Sequence, residues 1–370
     1  MKGYYLIYID KNNLDVGVNK KIEEQMTEFN EKGLNCSFYP IVRKDDKLSK
    51  LLYRFPFTNL TTQWKYNKKF EEVDYLYFRK PIVLTGAFRT FLRRLKRNSP
   101  KVKIVMELPT RFYDKEITNG RIVNLPLYIR EIYNRKRLKD LVDRIAVTGT
   151  DEDILWGVKT LKFKNGVNLK KNPVRNPVQD DGVIRFCFVA RFAFYHAVER
   201  FIRGMIEYYK NRGTQETLLY VVGDENSILT DLKHLSENPY VKDRVVFTGR
   251  KTGDELRKIY DQCNIGVCSL GIHRLKKAVN TSLKSREYLV AGLPICYSGD
   301  LDFLREEPVD FAFNYPEDES PIDIDAMIKK YKRLLEKENV EDLTARIRKY
   351  AEKHVGMEEA MENIVKYLKG

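Results

Sequence analysis

Sulfur and imidazole are scarce in this chain. Five cysteines and four histidines occur in 370 residues, no CxxC is present, and no His or Cys pair has the spacing of a structural metal site. Cys36, Cys187, Cys263, Cys268 and Cys296 all lie in or beside strand-like apolar runs, and their odd number fits reduced, buried thiols rather than a disulfide framework. No apolar run approaches the roughly 18–20 residues that a membrane span needs. The N-terminal stretch MKGYYLIYIDKNNLD has a short apolar segment closed at once by Asp10, too short and too quickly acidic for a signal peptide. A cytosolic protein is expected, in which the Asn-x-Thr/Ser matches at Asn59 and Asn280 carry no meaning. Hydrophobic residues make up 43% and charged residues 32%, which excludes disordered and collagen-like classes. At roughly 150 residues per domain, the length suggests two domains.

What is present in excess is positive charge, and it is unevenly placed. The net charge is +15; residues 1–180 hold 37 cations against 21 anions, whereas residues 181–370 hold 30 against 31. Between residues 75 and 106 stand nine cations (Arg79, Lys80, Arg89, Arg93, Arg94, Lys96, Arg97, Lys101, Lys103) and no acid. Within that stretch Phe88, Phe91, Leu92 and Leu95 recur at i, i+3, i+4 and i+7, the spacing of one helical face. Three readings are open: a solvated helix with its apolar stripe in the core, a surface for anionic lipid headgroups, and a nucleic-acid patch. No zinc finger, RNP-like stretch or basic coiled coil accompanies the last.

Short Val/Ile/Tyr/Phe runs alternate with helical patterns along the whole chain. Strands are expected at 4–9, 36–42, 75–78, 102–106, 144–147 and 160–163, then at 184–189, 218–222, 245–247, 265–268, 294–297 and 311–313. Such alternation predicts parallel α/β sheets. Around residues 172–182 (NPVRNPVQDDG) apolar residues nearly vanish and two prolines appear, a linker signal. The expected organisation is therefore a first domain over 1–172, a linker over 173–182 and a second domain over 183–370. The last 50 residues read as helices at 328–336, 342–352 and 358–368, capping the second domain or crossing back to the first.

In open α/β sheets, ligands bind at the carboxyl ends of strands, where helix N-termini attract phosphate. Four strand-to-helix segments stand out. Gly17 precedes a helix after the first strand. Glu107 follows the strand in VMELPT and either faces a cleft or pairs with the basic surface. Arg191 ends the strand in FVARF, with His196 five residues on, and an Arg there can clamp a diphosphate. In NTSLKSREYLVAGLP, a helix opens near Thr281 or Ser282 and is capped by Gly292. Glu287 lies about one and a half turns into that helix, where it can accept both hydroxyls of a ribose or simply pair with Lys284 at i−3. The triplets Asp151-Glu-Asp153, Asp300-Leu-Asp302 and Asp323-Ile-Asp325 read as caps or surface acids rather than as a metal site.

FVARF, LLYVVG (218–223), VVFTG (245–249), DELRKIY (254–260), IGVCSL (265–270) and SREYLVAGLP (285–294) resemble, in order and spacing, the nucleotide-sugar domain of GT-B glycosyltransferases, and most nearly the retaining family marked by E-x7-E, family 4-like and of the bacterial surface-polysaccharide type. The first half matches more loosely, through Gly17, ELPTRFYDKE and Asn165-Gly-Val. The resemblance implies two Rossmann-like domains facing across a cleft. It implies that Glu287 holds the ribose, that Arg191 contacts the donor diphosphate, and that the backbone at Thr281, Ser282 and Leu283 cradles the distal phosphate. Arg250 then lies near the base, Gly17 near the phosphates, and Glu107 on the acceptor side. Two positions depart from the family: Val279 stands where the first Glu usually is, and His196 where a Lys is common.

The activity this implies is transfer of a sugar from a nucleotide-sugar donor to a glycan or polyprenyl-diphosphate-linked glycan, with retention, in polysaccharide biosynthesis. No metal or other cofactor is expected. Arg191, a protonated His196 and the helix amides would stabilise the leaving diphosphate. The basic half would sit at an anionic membrane surface on the inner face, with no nucleic-acid partner. A non-catalytic GT-B accessory or binding protein is the alternative, which Val279 favours and Arg191 and Glu287 oppose.

Overall fold

The computed structural model describes residues 1–9, 16–42, 66–81, 83–108, 117, 124–148, 152–177, 181–275 and 279–370. They form two units, Met1–Lys164 with Ala360–Gly370, and Asn165–Glu359.

The first unit is built on seven strands: β1 (Gly3–Ile9), β2 (Cys36–Val42), β3 (Tyr75–Arg79), β4 (Lys103–Leu108), β5 (Arg144–Val147), β6 (Ile154–Leu155) and β7 (Val158–Lys162), in the order β2-β1-β3-β4-β5-β7-β6. All neighbours are parallel except β6 and β7. Helices α1 (Val16–Glu31), α2 (Gly86–Asn98) and α3 (Leu125–Arg135) belong to it. Strands covered on both faces read as continuous apolar runs, and β3 and β4 are buried accordingly. In α2, Phe88, Phe91, Leu92 and Leu95 are the buried residues, so the apolar stripe serves the core. Thr85 caps the helix, its hydroxyl accepting the Phe88 N–H at 3.2 Å. Arg93, Arg94 and Arg97 stay exposed, while Lys96 pairs with Asp143 at 2.7 Å.

The second unit is a six-stranded, wholly parallel sheet of β8 (Ile184–Val189), β9 (Thr217–Val222), β10 (Val245–Gly249), β11 (Ile265–Val267), β12 (Ile295–Ser298) and β13 (Ala312–Tyr315), ordered β10-β9-β8-β11-β12-β13. Counted within the unit this is 3-2-1-4-5-6, the doubly wound order whose direction reverses between β8 and β11. Its helices are α4 (Val198–Lys210), α5 (Ser227–Ser236), α6 (Gly253–Gln262), α7 (Leu283–Ala291), α8 (Ile324–Leu335) and α9 (Val340–His354). The last helix, α10 (Met357–Lys369), begins in this unit and ends in the first.

Two expected boundaries move. The units divide after Lys164, not at 172, and Ala360–Gly370 joins the first unit rather than completing the second. Lys103 Nζ donates to the carbonyls of Tyr367 and Leu368 at 2.9 and 3.0 Å, and Asn363 Nδ2 donates to the Lys162 carbonyl at 2.9 Å. The segment expected as a free linker is in part packed: Arg175 is buried and donates to the Cys263 carbonyl and to Thr344 Oγ1. Residues 178–180 lie outside the described set.

Candidate functional site

A reversal of strand order leaves a crevice at the carboxyl ends of the two strands that flank it. In the second unit these are β8 and β11, and the segments following them are tied together. The Leu270 N–H donates to the His196 carbonyl at 2.9 Å, and the Val189 N–H donates to the Tyr288 hydroxyl on α7 at 2.9 Å. Arg200, fully buried at the start of α4, donates to the carbonyls of Leu270, Ser320 and Pro316 and to Asp318, bracing the segments that follow β8, β11 and β13. Gly223, at the end of β9, lies so close to the segment after β8 that a Cβ on it would stand 2.1 Å from the Ala190 carbonyl oxygen.

The helix expected at Thr281 or Ser282 begins at Leu283, with Ser282 as its N-cap and Gly292, at φ +81°, closing it. Its start is held from below. Arg286, fully buried, donates to the Asn165 carbonyl at 2.6 Å and to the Ser282 carbonyl at 2.9 Å, and grips both oxygens of Asp302 at 2.6 Å. Asn165 Nδ2 in turn donates to the Thr281 carbonyl at 2.6 Å. The Ser282 N–H is taken by Asn280 Oδ1 at 3.1 Å. Among the described residues no side chain caps the helix itself, so the N–H groups of Leu283, Lys284 and Ser285 remain as its free donors.

Arg191 is exposed at the start of the segment after β8. His196 does not carry the charge expected of it. It is buried, its Nδ1 accepts the Ala193 N–H at 3.1 Å, and burial with the nearby Lys284 ammonium pushes its pKa down to about 2. It is a neutral imidazole with its proton on Nε2, a hydrogen-bond donor rather than a cation. The next residue, Ala197, holds φ +49°, a left-handed conformation unusual for a residue with a Cβ. Arg250 follows β10 and lies 3.8 Å from Asp224, which follows the neighbouring β9. Glu287 is partly buried on α7, and its charge adds to burial in pushing the pKa of Tyr260 well up. The described residues thus bring Arg191, His196, Ser282, Leu283 and Glu287 to the two strands at the reversal, with Arg250 two strands along the same sheet edge.

Sequence reasoning undervalued Lys284. Its Nζ is shut off from solvent, has no hydrogen-bond partner among the described residues and sits 4.0 Å from the centre of the Phe188 ring. Phe188 in turn meets His196 edge-on at 5.6 Å. A lysine at the second position of a helix that is buried nearly all round was the available signal.

In the first unit Glu107 is no exposed acceptor-side group. Its carboxylate is fully buried, accepts from Tyr77 at 2.7 Å, Gln25 at 3.0 Å and Tyr5 at 3.4 Å, and pairs with Lys21 at 3.2 Å. Lys21, Arg79 at 3.8 Å and these hydrogen bonds outweigh burial and hold its pKa at about 2. Gly17 lies in the first turn of α1, and the preceding residues 10–15 lie outside the described set, as do Asn59, 109–116, Asp151 and Lys276 with Lys277. Asp323 caps α8 by accepting the Ala326 N–H at 2.8 Å, and Asp300 pairs with Arg305 and Asp153 with Lys162, whereas Asp302 is neither a cap nor a surface acid but the partner of the buried Arg286. Among the described residues no three His, Cys, Asp or Glu side chains are grouped to hold a metal ion, and no helix is long and apolar enough to cross a membrane.

No protein-family model matches the chain, and no curated protein sequence is significantly similar to it. Solved structures do resemble it in fold. A glycosyltransferase from Rickettsia africae superposes with a TM-score of 0.65 at 11% identity, covering 100% of this chain and 98% of that one. Sucrose-phosphate synthase from Thermosynechococcus elongatus gives 0.61 at 13% identity, covering 100% and 98%. HepE from Anabaena, in complex with UDP, gives 0.60 at 9% identity, covering all of both chains. At these identities the likeness speaks for architecture: an α/β protein of two parallel-sheet units with C-terminal helices, the fold of its GT-B neighbours.

Proposed function

We propose that this chain is a glycosyltransferase that takes a sugar from a nucleotide-sugar donor and places it on a glycan or a polyprenyl-diphosphate-linked glycan, with retention and without a metal, in polysaccharide biosynthesis. The observation that carries the reading is the convergence, at the strand-order reversal of the second sheet, of an exposed arginine, a neutral imidazole donor, an uncapped helix N-terminus and a partly buried carboxylate. The amides of Leu283, Lys284 and Ser285 and the guanidinium of Arg191 suit a diphosphate, and Glu287 suits the ribose hydroxyls. Binding of UDP by a neighbour of the same fold supports the same assignment.

In the transfer, the bond from the sugar C1 to the diphosphate oxygen breaks and its electron pair leaves with the nucleotide. The acceptor hydroxyl bonds to C1, and its proton passes to the departing diphosphate. Negative charge grows on the leaving oxygens, where Arg191 and the amides stabilise it and His196 adds a neutral N–H. The acceptor belongs to the basic first unit. There α3 exposes Leu125, Ile129 and Tyr133 at i, i+4 and i+8, with Arg137 3.8 Å and Arg89 5.3 Å from the Tyr133 ring. An apolar stripe flanked by cations fits an anionic bilayer surface, where a lipid-linked acceptor would reside.

The test is release of free nucleotide from UDP- and GDP-sugars. Wild type turns over at least one donor, and Arg191→Ala and Glu287→Ala each lower turnover by about a hundredfold or more. Val279, in place of the usual acid, favours the second reading, a non-catalytic accessory protein; wild type inert with every donor would establish that reading instead.

A further inference from the structure

Lys284 presents a buried cation with no hydrogen-bond partner among the described residues. Among the described residues its Nζ has no hydrogen-bond acceptor and no exposed surface, and it lies 4.0 Å from the centre of the Phe188 ring. Burial of an ion without a hydrogen-bonded partner is unfavourable, and an anion supplied from outside would relieve it. The surroundings are positive as well. Lys284 is the second residue of α7, whose first amides are uncapped and whose dipole is positive at this end. Across the Phe188 ring lies His196, which is neutral.

We propose that Lys284 is a donor-binding residue whose ammonium meets the diphosphate of the nucleotide sugar, supplying from α7 the charge that His196 does not carry. This rests on the nucleotide-sugar reading above. The charged and titratable groups around it are Glu287 on its own helix, Cys268 after β11 and His196 after β8. Cys268 is pushed up to about 12 and His196 down to about 2, so neither changes charge near neutrality. Burial, partly offset by Cys268 and Glu287, pushes Lys284 down to about 7. A bound diphosphate diester favours the ammonium and raises that pKa, so binding takes up a proton above about pH 7.

The experiment is calorimetric titration of the full chain with UDP-glucose, GDP-glucose and dTDP-glucose, in buffers of different ionisation heat and across pH. For the nucleotide that binds, wild type takes up a fraction of a proton at about pH 8, and affinity falls as pH rises beyond about 7. Lys284→Met binds roughly tenfold to a hundredfold more weakly and takes up no proton. Lys284→Met with wild-type affinity and proton uptake overturns the proposal while leaving the nucleotide-sugar reading intact. If that variant does not fold, the wild-type titration decides alone, since an affinity independent of pH from about 6 to 9 overturns it equally. Failure of wild type to bind any of the three sugar nucleotides removes the nucleotide-sugar reading, and this inference with it.

Discussion

The fully buried carboxylates of the first unit and the buried Lys284 of the second are treated in opposite ways. In the first, the two fully buried carboxylates are answered. Glu107 receives two cations and three neutral donors, and Lys80 and Glu131, neither with any exposed side-chain surface, meet at 2.9 Å with Arg135 alongside at 3.3 Å. In the second, Arg286 and Arg200 are satisfied in the same manner by Asp302, Asp318 and backbone carbonyls, yet Lys284 lies within the same shell of helices and strands with an aromatic face in place of an acceptor. A matched buried ion organises the fold, since removing one partner strands the other. An unmatched one weakens the free protein and strengthens it when a counter-ion arrives. The contrast separates architecture from binding capacity without reference to any relative.

Breaking the matched set should have the largest effect. Glu107→Ala strands Lys21, Tyr5, Tyr77 and Gln25 in the core of the first unit, and a loss of about 3–5 kcal/mol is expected in urea denaturation. The pH dependence follows from the same network. Glu107 has its folded pKa lowered from 4.5 to about 2, so its stabilisation is complete above about pH 4.5 and is lost as pH falls toward about 2. That contribution amounts to about 3 kcal/mol. A wild-type acid-unfolding profile that Glu107→Gln reproduces unchanged would contradict this account of the first unit.

The unmatched lysine should respond with the opposite sign. Lys284→Met replaces an unanswered ammonium by an apolar chain of similar length, and the free protein is expected to gain about 1–3 kcal/mol at neutral pH. The lysine's folded pKa lies below its unfolded one, so between about 7 and 10.5 the unfolded chain binds more protons and wild-type stability rises with pH. The variant lacks that rise. A variant less stable than wild type at pH 7 would mean that the Phe188 contact, rather than an absent anion, is what retains the lysine.

The alternation of strands and helices was legible because buried parallel strands are short and continuously apolar. All twelve expected strands have counterparts within two residues at each end, and among the described strands only β6, two residues paired antiparallel to β7, had no pattern long enough to read. The apolar face of α2 was equally plain. Charge was harder to read, since a sequence gives its sign but not its surroundings. Lys284 looked like the surface partner of Glu287, His196 like a group free to protonate, and Glu107 equally like a cleft carboxylate or half of an ion pair. Arg175, in a proline-rich stretch, had no mark to distinguish a packed arginine from a solvated one. The crossing of α10 into the first unit depended on carbonyls accepting from Lys103, which no periodicity encodes.

The smallest effect on stability, and a direct test of what the exposed face of the first unit is for, belongs to α3. Leu125, Ile129 and Tyr133 remain 48%, 47% and 41% exposed, although the same helix buries Arg130, Glu131 and Asn134. A helix with its polar residues inward and an apolar stripe outward has inverted the usual arrangement, and the cost is recovered only if that stripe meets an apolar surface. Ile129→Ser with Tyr133→Ser should cost no more than about 1 kcal/mol of stability, because neither side chain belongs to the core and what is lost is the contact of the Tyr133 ring with Arg137 and Arg89. Flotation with vesicles containing anionic lipid should nonetheless fall about tenfold or more, as two apolar side chains lose their burial in the interface. Arg137→Glu should weaken flotation further at low salt and have little effect at high salt, where screening already removes its contribution. Flotation that is strong in wild type and insensitive to all three changes would return the surface to an ordinary solvated face and place the lipid contact, if any, on another part of the basic unit.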